Sequence, residues 1–166
     1  MRVIAGRLKG RRLQAPAGAR VRPTSGSLRE TLFNVLGPLD EMRVLDAFAG
    51  TGALGIEAYS RGAASITFIE QDPKALHVLR ENVSHCGVED ACVIIRGDFM
   101  GARVDASRFD LVLLDPPYTM ANILDVLTRA AALVAPGGRL VFEHSRRTGA
   151  PASVPGAARY RTITAG

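Results

Sequence analysis

The sequence lacks the residue patterns that mark metal, redox and membrane proteins. Its only two cysteines, Cys86 and Cys92, and its three scattered histidines match no metal-binding or redox spacing in 166 residues. No apolar run reaches the roughly 20 residues that a membrane helix needs, and no signal-peptide pattern is present. We therefore expect a single-domain cytoplasmic protein with reduced thiols, no metal site and no membrane contact.

Acidic residues are absent from the first 22 positions, which hold seven arginine and lysine side chains. The rest of the chain holds slightly more acidic than basic side chains, so the formal net charge of +5 comes entirely from this arm. Such a concentration of positive charge favours a polyanionic partner, although a solvated tail can have the same composition. We predict a basic N-terminal arm over residues 1–22, folded as a short hairpin, and one globular domain over residues 23–166.

Strand and helix patterns alternate along the remaining chain, which predicts an α/β fold with a mostly parallel sheet and helices on both faces. Strands are predicted at 43–48, 65–70, 92–97, 109–115 and 139–144, with a sixth at 159–163. Helices are predicted at 28–36, 52–61, 73–85 and 121–134. Ligands of such sheets bind beyond the carboxyl ends of the strands, so these ends are where we expect the site.

The first predicted helix begins with a capping box formed by Ser27 and Glu30. Its predicted buried stripe consists of Leu28, Leu32, Val35 and Leu36. Arg29 and Asn34 fall off that stripe, so they either meet a substrate or simply face solvent. At the third helix, Asp72 is the predicted cap before Pro73.

A glycine-rich turn, Gly50-x-Gly52-x-x-Gly55, joins the strand that ends near Asp46 to the next helix. Glycine lets the backbone turn sharply and approach a ligand, and the helix start offers unpaired N–H groups. The spacing also fits a dinucleotide turn, but a carboxylate at Asp46 would repel a pyrophosphate. Asp46 suits a cationic ammonium group, and the pattern resembles the first motif of the Rossmann-like methyltransferases, which use S-adenosylmethionine.

Two further strand ends carry candidate cofactor residues. Glu70 follows Gly50 by 20 residues, the expected position for a carboxylate that accepts ribose hydroxyls. Asp98 and Phe99 would bracket an adenine, although a turn aspartate and a core phenylalanine give the same pattern. The complete set of candidate cofactor residues is Asp46, Phe48, Gly50, Gly52, Ala53, Glu70, Gln71, Asp98 and Phe99.

The fourth strand ends in Asp115-Pro116-Pro117-Tyr118, the most specific pattern in the chain. It resembles the motif of enzymes that methylate the exocyclic amines of bases. The lone pair of such an amine is delocalised into the ring, and acceptance of its two hydrogens by Asp115 and the Pro116 carbonyl would turn that lone pair toward a methyl donor. The prolines would keep these acceptors in place, and Tyr118 would stack on an extruded base. Asp115, Pro116 and Tyr118 are therefore the candidate catalytic residues.

Taken together, these blocks resemble one family, the bacterial 16S ribosomal RNA guanine-N2 methyltransferases that modify the small subunit. The resemblance covers residues 1 to about 146 and rests on four blocks, at 2–13, 22–34, 46–61 and 115–118. It implies a class I methyltransferase that uses S-adenosylmethionine and acts on 16S ribosomal RNA within a 30S subunit or assembly intermediate. The candidate substrate contacts are Arg7, Arg11, Arg12, Arg22, Thr24, Arg29, Pro117 and Tyr118.

Two departures from the family pattern and three rival functions accompany this resemblance. Gly26 and Ser27 stand where the family usually has an acid and a base, and no residues remain for a seventh, antiparallel strand.

A DNA adenine-N6 methyltransferase would use the same chemistry, but there is no room for a target-recognition domain. A non-catalytic RNA-binding protein of this fold is a second rival. An NAD-dependent oxidoreductase is a third, which Asp46 and the Asp-Pro-Pro stretch disfavour.

Overall fold

A five-stranded parallel sheet organises the chain in a computed structural model, which describes residues 1–15, 26–104, 108–145 and 149–164. The helices are α1 (Gly26–Leu36), α2 (Ala53–Ser60), α3 (Pro73–Cys86) and α4 (Ile123–Leu133), and a short 3-10 turn spans Glu89–Ala91. The strands are β1 (Arg43–Asp46), β2 (Ser65–Glu70), β3 (Cys92–Arg96), β4 (Phe109–Leu114), β5 (Val134–Phe142), β6 (Ser153–Val154) and β7 (Ala157–Ala158).

In the strand order β3-β2-β1-β4-β5, β2 and β3 are added on one side of β1, and β4 and β5 on the other. The order therefore reverses between β1 and β4. At this reversal the register places Asp46 of β1 beside Leu113 of β4 and beside Phe68 of β2. Open α/β sheets bind their ligands outside the carboxyl ends of the strands, at the point where the order reverses. The cleft between the ends of β1 and β4 is therefore the expected site.

Alternate residues of the central strands divide the core into two clusters. Val44 of β1 packs with residues of α1, α2 and α3, whereas its neighbour Leu45 packs with residues of α4. Because successive side chains of a strand point to opposite faces, the helices cover both faces of the sheet. The predicted α/β fold with a parallel sheet is confirmed.

Residues 1–15 fold back as a hairpin that packs on the sheet's helical layer. The Val3 amide donates to the Arg11 carbonyl at 3.0 Å, and the Gly10 amide donates to the Val3 carbonyl at 2.9 Å. Val3 and Leu13 are buried in the same cluster as α1, α2 and α3. This part of the basic arm is thus attached to the domain through its apolar residues, while the predicted border at residue 22 lies outside the described residues.

Helix α1 differs from its prediction in start and in orientation. It begins at Gly26, so Ser27 lies inside the helix rather than at its cap. Its buried residues are Arg29, Phe33 and Leu36, whereas the predicted stripe contained Leu36 but neither of the other two. The Arg2 carbonyl of the hairpin and Glu57 of α2 are the polar partners of Arg29, and a hydrophobicity pattern cannot anticipate such partners.

The C-terminal part of the sheet is also corrected. Strand β5 begins at Val134 and runs through Pro136-Gly137-Gly138, with a register irregularity opposite Phe109 and Leu111. The predicted helix ends at residue 134 and the predicted strand starts at 139, whereas edge strands tolerate proline and glycine at bulges and so can include the residues between. The predicted strand at 159–163 is wrong, because these residues form no strand. The residues just before them, β6 and β7, form a separate antiparallel pair. The main sheet formed by the described residues contains neither a sixth nor a seventh strand.

The described part of the chain holds neither a membrane-spanning helix nor a metal-binding cluster. No helix there is long and apolar enough to cross a membrane. Nor do the histidine, cysteine and acidic side chains of those residues form a cluster that could hold a metal ion.

Close packing of α2 on β2 requires glycine at position 55. A Cβ atom there would lie 2.3 Å from Phe68 Cε1 and 2.9 Å from Ile66 Cγ2. We expect Gly55→Ala to lower the free energy of unfolding by about 1–3 kcal/mol, because the buried Phe68 ring must move. Urea unfolding measures this, with Gly101→Ala as the control, since the nearest atom to a Cβ there is 4.0 Å away. Equal stability of the two variants would contradict this packing.

Candidate active site

The turn between β1 and α2, residues 47–52, leaves one backbone face open. Gly50 and Gly52 have φ angles of +53° and +81°, a region that side-chain-bearing residues rarely adopt. A Cβ at Gly52 would lie 2.4 Å from Leu79 Cδ1, whereas a Cβ at Gly50 would meet nothing within 4 Å. The turn is therefore packed below Gly52 and open above Gly50, next to the half-buried Ala53 at the start of α2.

Asp46 at the end of β1 is a buried carboxylate with one oxygen unused. It is 1% exposed, and its Oδ2 accepts a hydrogen bond from the Gly55 amide at 2.9 Å. Its Oδ1 has no hydrogen-bond partner among the described residues. Burial raises the pKa of Asp46 to about 7; the Gly55 bond opposes this rise, and the negative charges of Asp115 and Glu70 add to it. An unpaired buried oxygen calls for a partner, and a cationic group is the best one for a carboxylate.

Glu70 at the end of β2 bonds the backbone of the glycine turn. Its Oε2 accepts from the Gly50 amide at 2.7 Å, and its Oε1 accepts from the Asp72 amide at 2.7 Å. Asp72 in turn caps α3, as predicted, through bonds from the Lys74 and Ala75 amides. Each carboxylate oxygen keeps a second lone pair, so Glu70 can hold the turn and still accept hydroxyl groups.

The aromatic residues near the third strand have roles that the sequence could not separate. Phe99 is 1% exposed and packs with Ile69 and Leu114, so its ring is not available to a ligand. The expectation that Phe99 packs on an adenine is corrected accordingly. Phe48 is only partly buried and lies against Phe99, with ring centroids 5.6 Å apart. The accessible aromatic surface is therefore that of Phe48. Gln71 and Asp98 are exposed. Both are next to the backbone bond in which the Gly97 amide donates to the Glu70 carbonyl.

The Asp115–Tyr118 segment leaves β4 beside the glycine turn. The Ala47 amide donates to the Leu113 carbonyl at 3.0 Å, and the Glu143 amide donates to the Leu114 carbonyl at 2.8 Å, which fixes both sides of the strand end. Asp115 is half-buried and Pro116 is buried, whereas Pro117 and Tyr118 are exposed. The negative charge of Asp115 contributes to the raised pKa of Asp46, after the larger effect of burial.

Tyr118 has a partner that sequence reasoning missed. Its ring is 48% exposed, and its hydroxyl donates to Glu143 Oε1 at 3.2 Å. Glu143 directly follows β5, so its position after a strand end was a usable signal. The bond ties the exposed ring to the sheet, which suits a surface on which a planar group is stacked.

Three of the arginines predicted to contact a substrate, Arg7, Arg11 and Arg29, donate hydrogen bonds to other parts of the chain. Arg7 donates to the Tyr59 and Ala63 carbonyls at the end of α2, and its guanidinium lies 3.9 Å from the centroid of the Tyr59 ring. Arg11 donates to the His85 carbonyl at the end of α3 at 2.9 Å. The positive charge of each side chain is stabilised by the partial negative charge at the C-terminal end of the helix that it contacts. Arg7 and Arg11 therefore help to attach the hairpin.

Arg29 is the clearest correction among the predicted contacts. Its side chain is 3% exposed, donates to the Arg2 carbonyl and lies 3.9 Å from Glu57 Oε2. Burial lowers the pKa of Arg29, and Glu57 opposes that effect. The guanidinium thus faces the interior instead of a substrate. Arg12 is exposed, and Arg22 and Thr24 lie outside the described residues.

Glu57 and Asn82 are two buried polar residues whose role the sequence did not reveal. Glu57 is 1% exposed and accepts from the Ile4 amide at 2.8 Å and the Ala5 amide at 3.1 Å. Asn82 is fully buried and bonds both the amide and the carbonyl of Gln14. Two helices thus present polar groups to the hairpin backbone, and long-range pairs of this kind leave no local sequence pattern.

Two surface concavities lie outside this cleft. A groove of about 1160 Å³ follows β5 between α1 and residues 150–164, and reaches Tyr118 and Glu143. A shallower one of about 520 Å³ lies at the end of α2 beside Arg7. Neither is lined by Asp46, Glu70 or Asp115. The assignment of the site therefore rests on the converging carboxylates and the open glycine turn rather than on cavity volume.

Comparisons with known proteins agree with this geometry. The family described as "Conserved hypothetical protein 95" matches residues 1–166. A Bacillus subtilis protein named as a candidate rRNA methyltransferase, YlbH, is 37% identical over 161 residues, which cover 93% of this chain and 88% of the relative. Ribosomal RNA small subunit methyltransferase D of Haemophilus influenzae is 41% identical over 123 residues, covering 71% of this chain and 64% of the relative.

A solved structure shows the same arrangement. An Escherichia coli protein described as a candidate methyltransferase, yhhF, superimposes with a TM-score of 0.83 at 30% identity. The superposition covers 99% of this chain and 92% of the other. The similarity therefore extends over the described sheet, the cleft and the hairpin together.

Proposed function

The chain belongs to the family described as conserved hypothetical protein 95, and from its site we propose that it methylates the exocyclic N2 amine of a guanine in 16S ribosomal RNA, with S-adenosylmethionine as the donor. Relatives at 37–41% identity that carry ribosomal RNA methyltransferase names support the substrate class. The single observation that carries the proposal is the unpaired buried oxygen of Asp46 beside the Asp115–Tyr118 segment.

The residues of the cleft fit the parts of this donor. The unpaired Oδ1 of Asp46 would hold the ammonium group, and the open backbone at Gly50 leaves room for the chain of the amino acid. Glu70 would accept the ribose hydroxyls, while Phe48 and Asp98 would hold the adenine. When bound, the donor supplies a methyl group on a positively charged sulfur, which departs as a neutral thioether.

The Asp115–Tyr118 segment would orient the base. The carboxylate of Asp115 and the carbonyl of Pro116 accept the two amine hydrogens, which turns the nitrogen lone pair toward the cleft. Pro116 is buried, so the acceptors are held in place before the base arrives. The exposed ring of Tyr118 offers a stacking surface, and Asp115 or water takes the proton afterwards.

We propose that the substrate is the RNA within a small subunit or an assembly intermediate. We also propose the cytoplasmic location that the sequence predicts. Incubation with a labelled donor and three substrates tests it: naked small-subunit RNA, small-subunit particles and duplex DNA. Digestion to nucleosides should give N2-methylguanosine from the RNA or the particles. N6-methyladenosine from DNA alone would establish the DNA enzyme instead, and no transfer to any substrate would favour a non-catalytic RNA-binding protein.

The exposed part of the hairpin makes a separate prediction about RNA affinity. Both side chains are exposed, and the bond from Arg11 to the His85 carbonyl uses only its Nη1, which leaves other N–H donors for a phosphate. We expect the double variant Arg11→Ala and Arg12→Ala to weaken RNA binding and to reduce the slope of log affinity against log salt by about 1 to 2, because up to two phosphate contacts are lost. Fluorescence anisotropy at several salt concentrations measures this. Arg103→Ala with Arg108→Ala is the control, since both are exposed and neither belongs to the hairpin. Equal slopes in the two double variants would contradict the assignment.

A further inference from the structure

We infer that Asn82 is a positioning residue that couples the hairpin of residues 1–15 to the glycine turn, so that donor binding and hairpin docking strengthen each other. Its Oδ1 accepts from the Gln14 amide at 2.7 Å, and its Nδ2 donates to the Gln14 carbonyl at 3.1 Å. The same Nδ2 donates to the Thr51 carbonyl at 2.9 Å. One side chain thus joins Gln14 of the hairpin to the centre of the Gly50–Gly52 turn.

The orientation of the Asn82 amide is determined by chemistry. A backbone N–H group can only donate and a backbone carbonyl can only accept, so Oδ1 must face the Gln14 amide and Nδ2 must face the Thr51 carbonyl. The side chain is fully buried, which makes an unmade bond costly. Release of Gln14 would therefore leave the amide free to turn away from Thr51, and movement of Thr51 would weaken the hold on Gln14.

Neighbouring contacts place the second strand of the hairpin along α3, where Asn82 can bond it. Arg11 donates to the His85 carbonyl one turn further along α3, so the outgoing strand of the hairpin lies along this helix. Leu13 is buried in the core immediately before Gln14. The segment that follows, residues 16–25, contains Arg22 and Thr24, which resemblance assigns to the substrate. Asn82 thus stands between the donor site and the entry to the predicted RNA-binding segment.

The physical basis of the coupling is that one side chain bonds both segments, so that fixing either segment also restrains the other. A donor that fixes the Gly50–Gly52 turn also fixes the Thr51 carbonyl, and through Asn82 the backbone of Gln14. Ordering that one ligand has already achieved need not be repeated by the next, so the second ligand binds more tightly. The coupling rests on the proposed function for the identity of both ligands, and it is reciprocal because it is an equilibrium property.

Amide hydrogen exchange tests this inference without relying on activity. S-adenosylhomocysteine at saturation should slow the exchange of the Gly52 amide, which reports donor-site occupancy, and also of the Leu13 and Gln14 amides by about fivefold or more. In Asn82→Ala, Gly52 should remain protected by the ligand while the response of Leu13 is lost. Retention of that response in Asn82→Ala, or its absence in the wild type, would overturn the inference. No protection at Gly52 in the wild type would instead contradict the proposed donor site.

Two matched variants separate positioning from simple destabilisation. Gln14→Ala keeps both backbone bonds to Asn82, so it should leave the response of Leu13 unchanged. Val83→Ala removes buried apolar volume from the same helix but no bond to the hairpin or the turn. It should lower stability as Asn82→Ala does and yet preserve the response. Loss of the response in Val83→Ala at comparable stability would mean that destabilisation alone explains the result.

A second measurement addresses the RNA itself. In the wild type, S-adenosylhomocysteine should tighten the binding of small-subunit RNA by about fivefold or more, and RNA should tighten the binding of S-adenosylhomocysteine by the same factor. In Asn82→Ala both factors should fall to about one. An unchanged factor in the variant would overturn the inference even if each separate affinity is reduced.

Discussion

Replacement of Asp115 by alanine is expected to lower the turnover number for methyl transfer by about a thousandfold or more. The variant loses the carboxylate that accepts an amine hydrogen, so the lone pair of the base nitrogen stays delocalised in its ring. Affinity for S-adenosylhomocysteine at pH 8 should change by no more than about threefold, because Asp115 acts on the base and not on the donor. Single-turnover kinetics and calorimetry measure the two quantities separately.

The control for this variant lies on the same strand. Asp110 is also on β4, but at the opposite end of the sheet, where it accepts from the Arg43 amide at 2.8 Å and is 40% exposed. Asp110→Ala should keep the wild-type turnover number. A variant at Asp115 that retained full turnover would remove the chemical basis of the proposal, even if the donor site were intact.

Replacement of Asp46 by asparagine should lower the affinity for S-adenosylhomocysteine at pH 8 by about 100-fold or more, because a buried carboxylate is exchanged for a neutral group opposite an ammonium. The ligand-free variant should nevertheless be more stable than the wild type. The raised pKa of Asp46 means that ionisation in the folded state is unfavourable without a bound cation. Loss of function combined with gain of stability distinguishes a ligand-binding carboxylate from a structural one.

The pH dependence of this gain follows from the direction of the pKa shift. The pKa of Asp46 is raised to about 7 in the folded protein, whereas the unfolded chain releases this proton near the ordinary aspartate pKa of 3.8. The contribution of this group to the free energy of unfolding is therefore fully present below pH 3.8, falls as the pH rises from 3.8 to about 7, and is lost above that.

The size of the gain has an upper bound. About 1.4 kcal/mol per pH unit gives roughly 4 kcal/mol at pH 8. The asparagine N–H groups, which would replace an unpaired oxygen, offset part of this, so we expect a net gain of about 1–2 kcal/mol. Urea unfolding at pH 8 and pH 5 measures it, and a gain that grew toward pH 5 would contradict the assignment.

The sequence predicted the sheet and most of the carboxylates at the site because both depend on local patterns. Apolar runs bounded by turn residues located the five parallel strands, with ends within a few residues except at β5. Asp46, Glu70 and Asp115 follow three of these strands, and the carboxyl ends of parallel strands meet at one edge. Their convergence therefore followed from spacing and topology.

Contacts between distant parts of the chain could not be predicted in this way. Arg29 is buried because the Arg2 carbonyl and Glu57 surround it, and all three come from separate elements. Asn82 contacts Gln14, which lies 68 residues earlier in the chain. Phe99 and Phe48 both follow strand ends, and only the packing shows which ring is covered. Neither periodicity nor capping rules contain such information.

A crystal structure with S-adenosylhomocysteine bound is the most direct measurement of the proposed chemistry. We predict the ammonium nitrogen at about 3 Å from Asp46 Oδ1, the ribose hydroxyls on Glu70, and the sulfur on the side of the cleft that faces Asp115 and Pro116. A ligand bound elsewhere, for example in the groove along β5, or one seated in the cleft with its sulfur turned away from Asp115, would contradict the proposal.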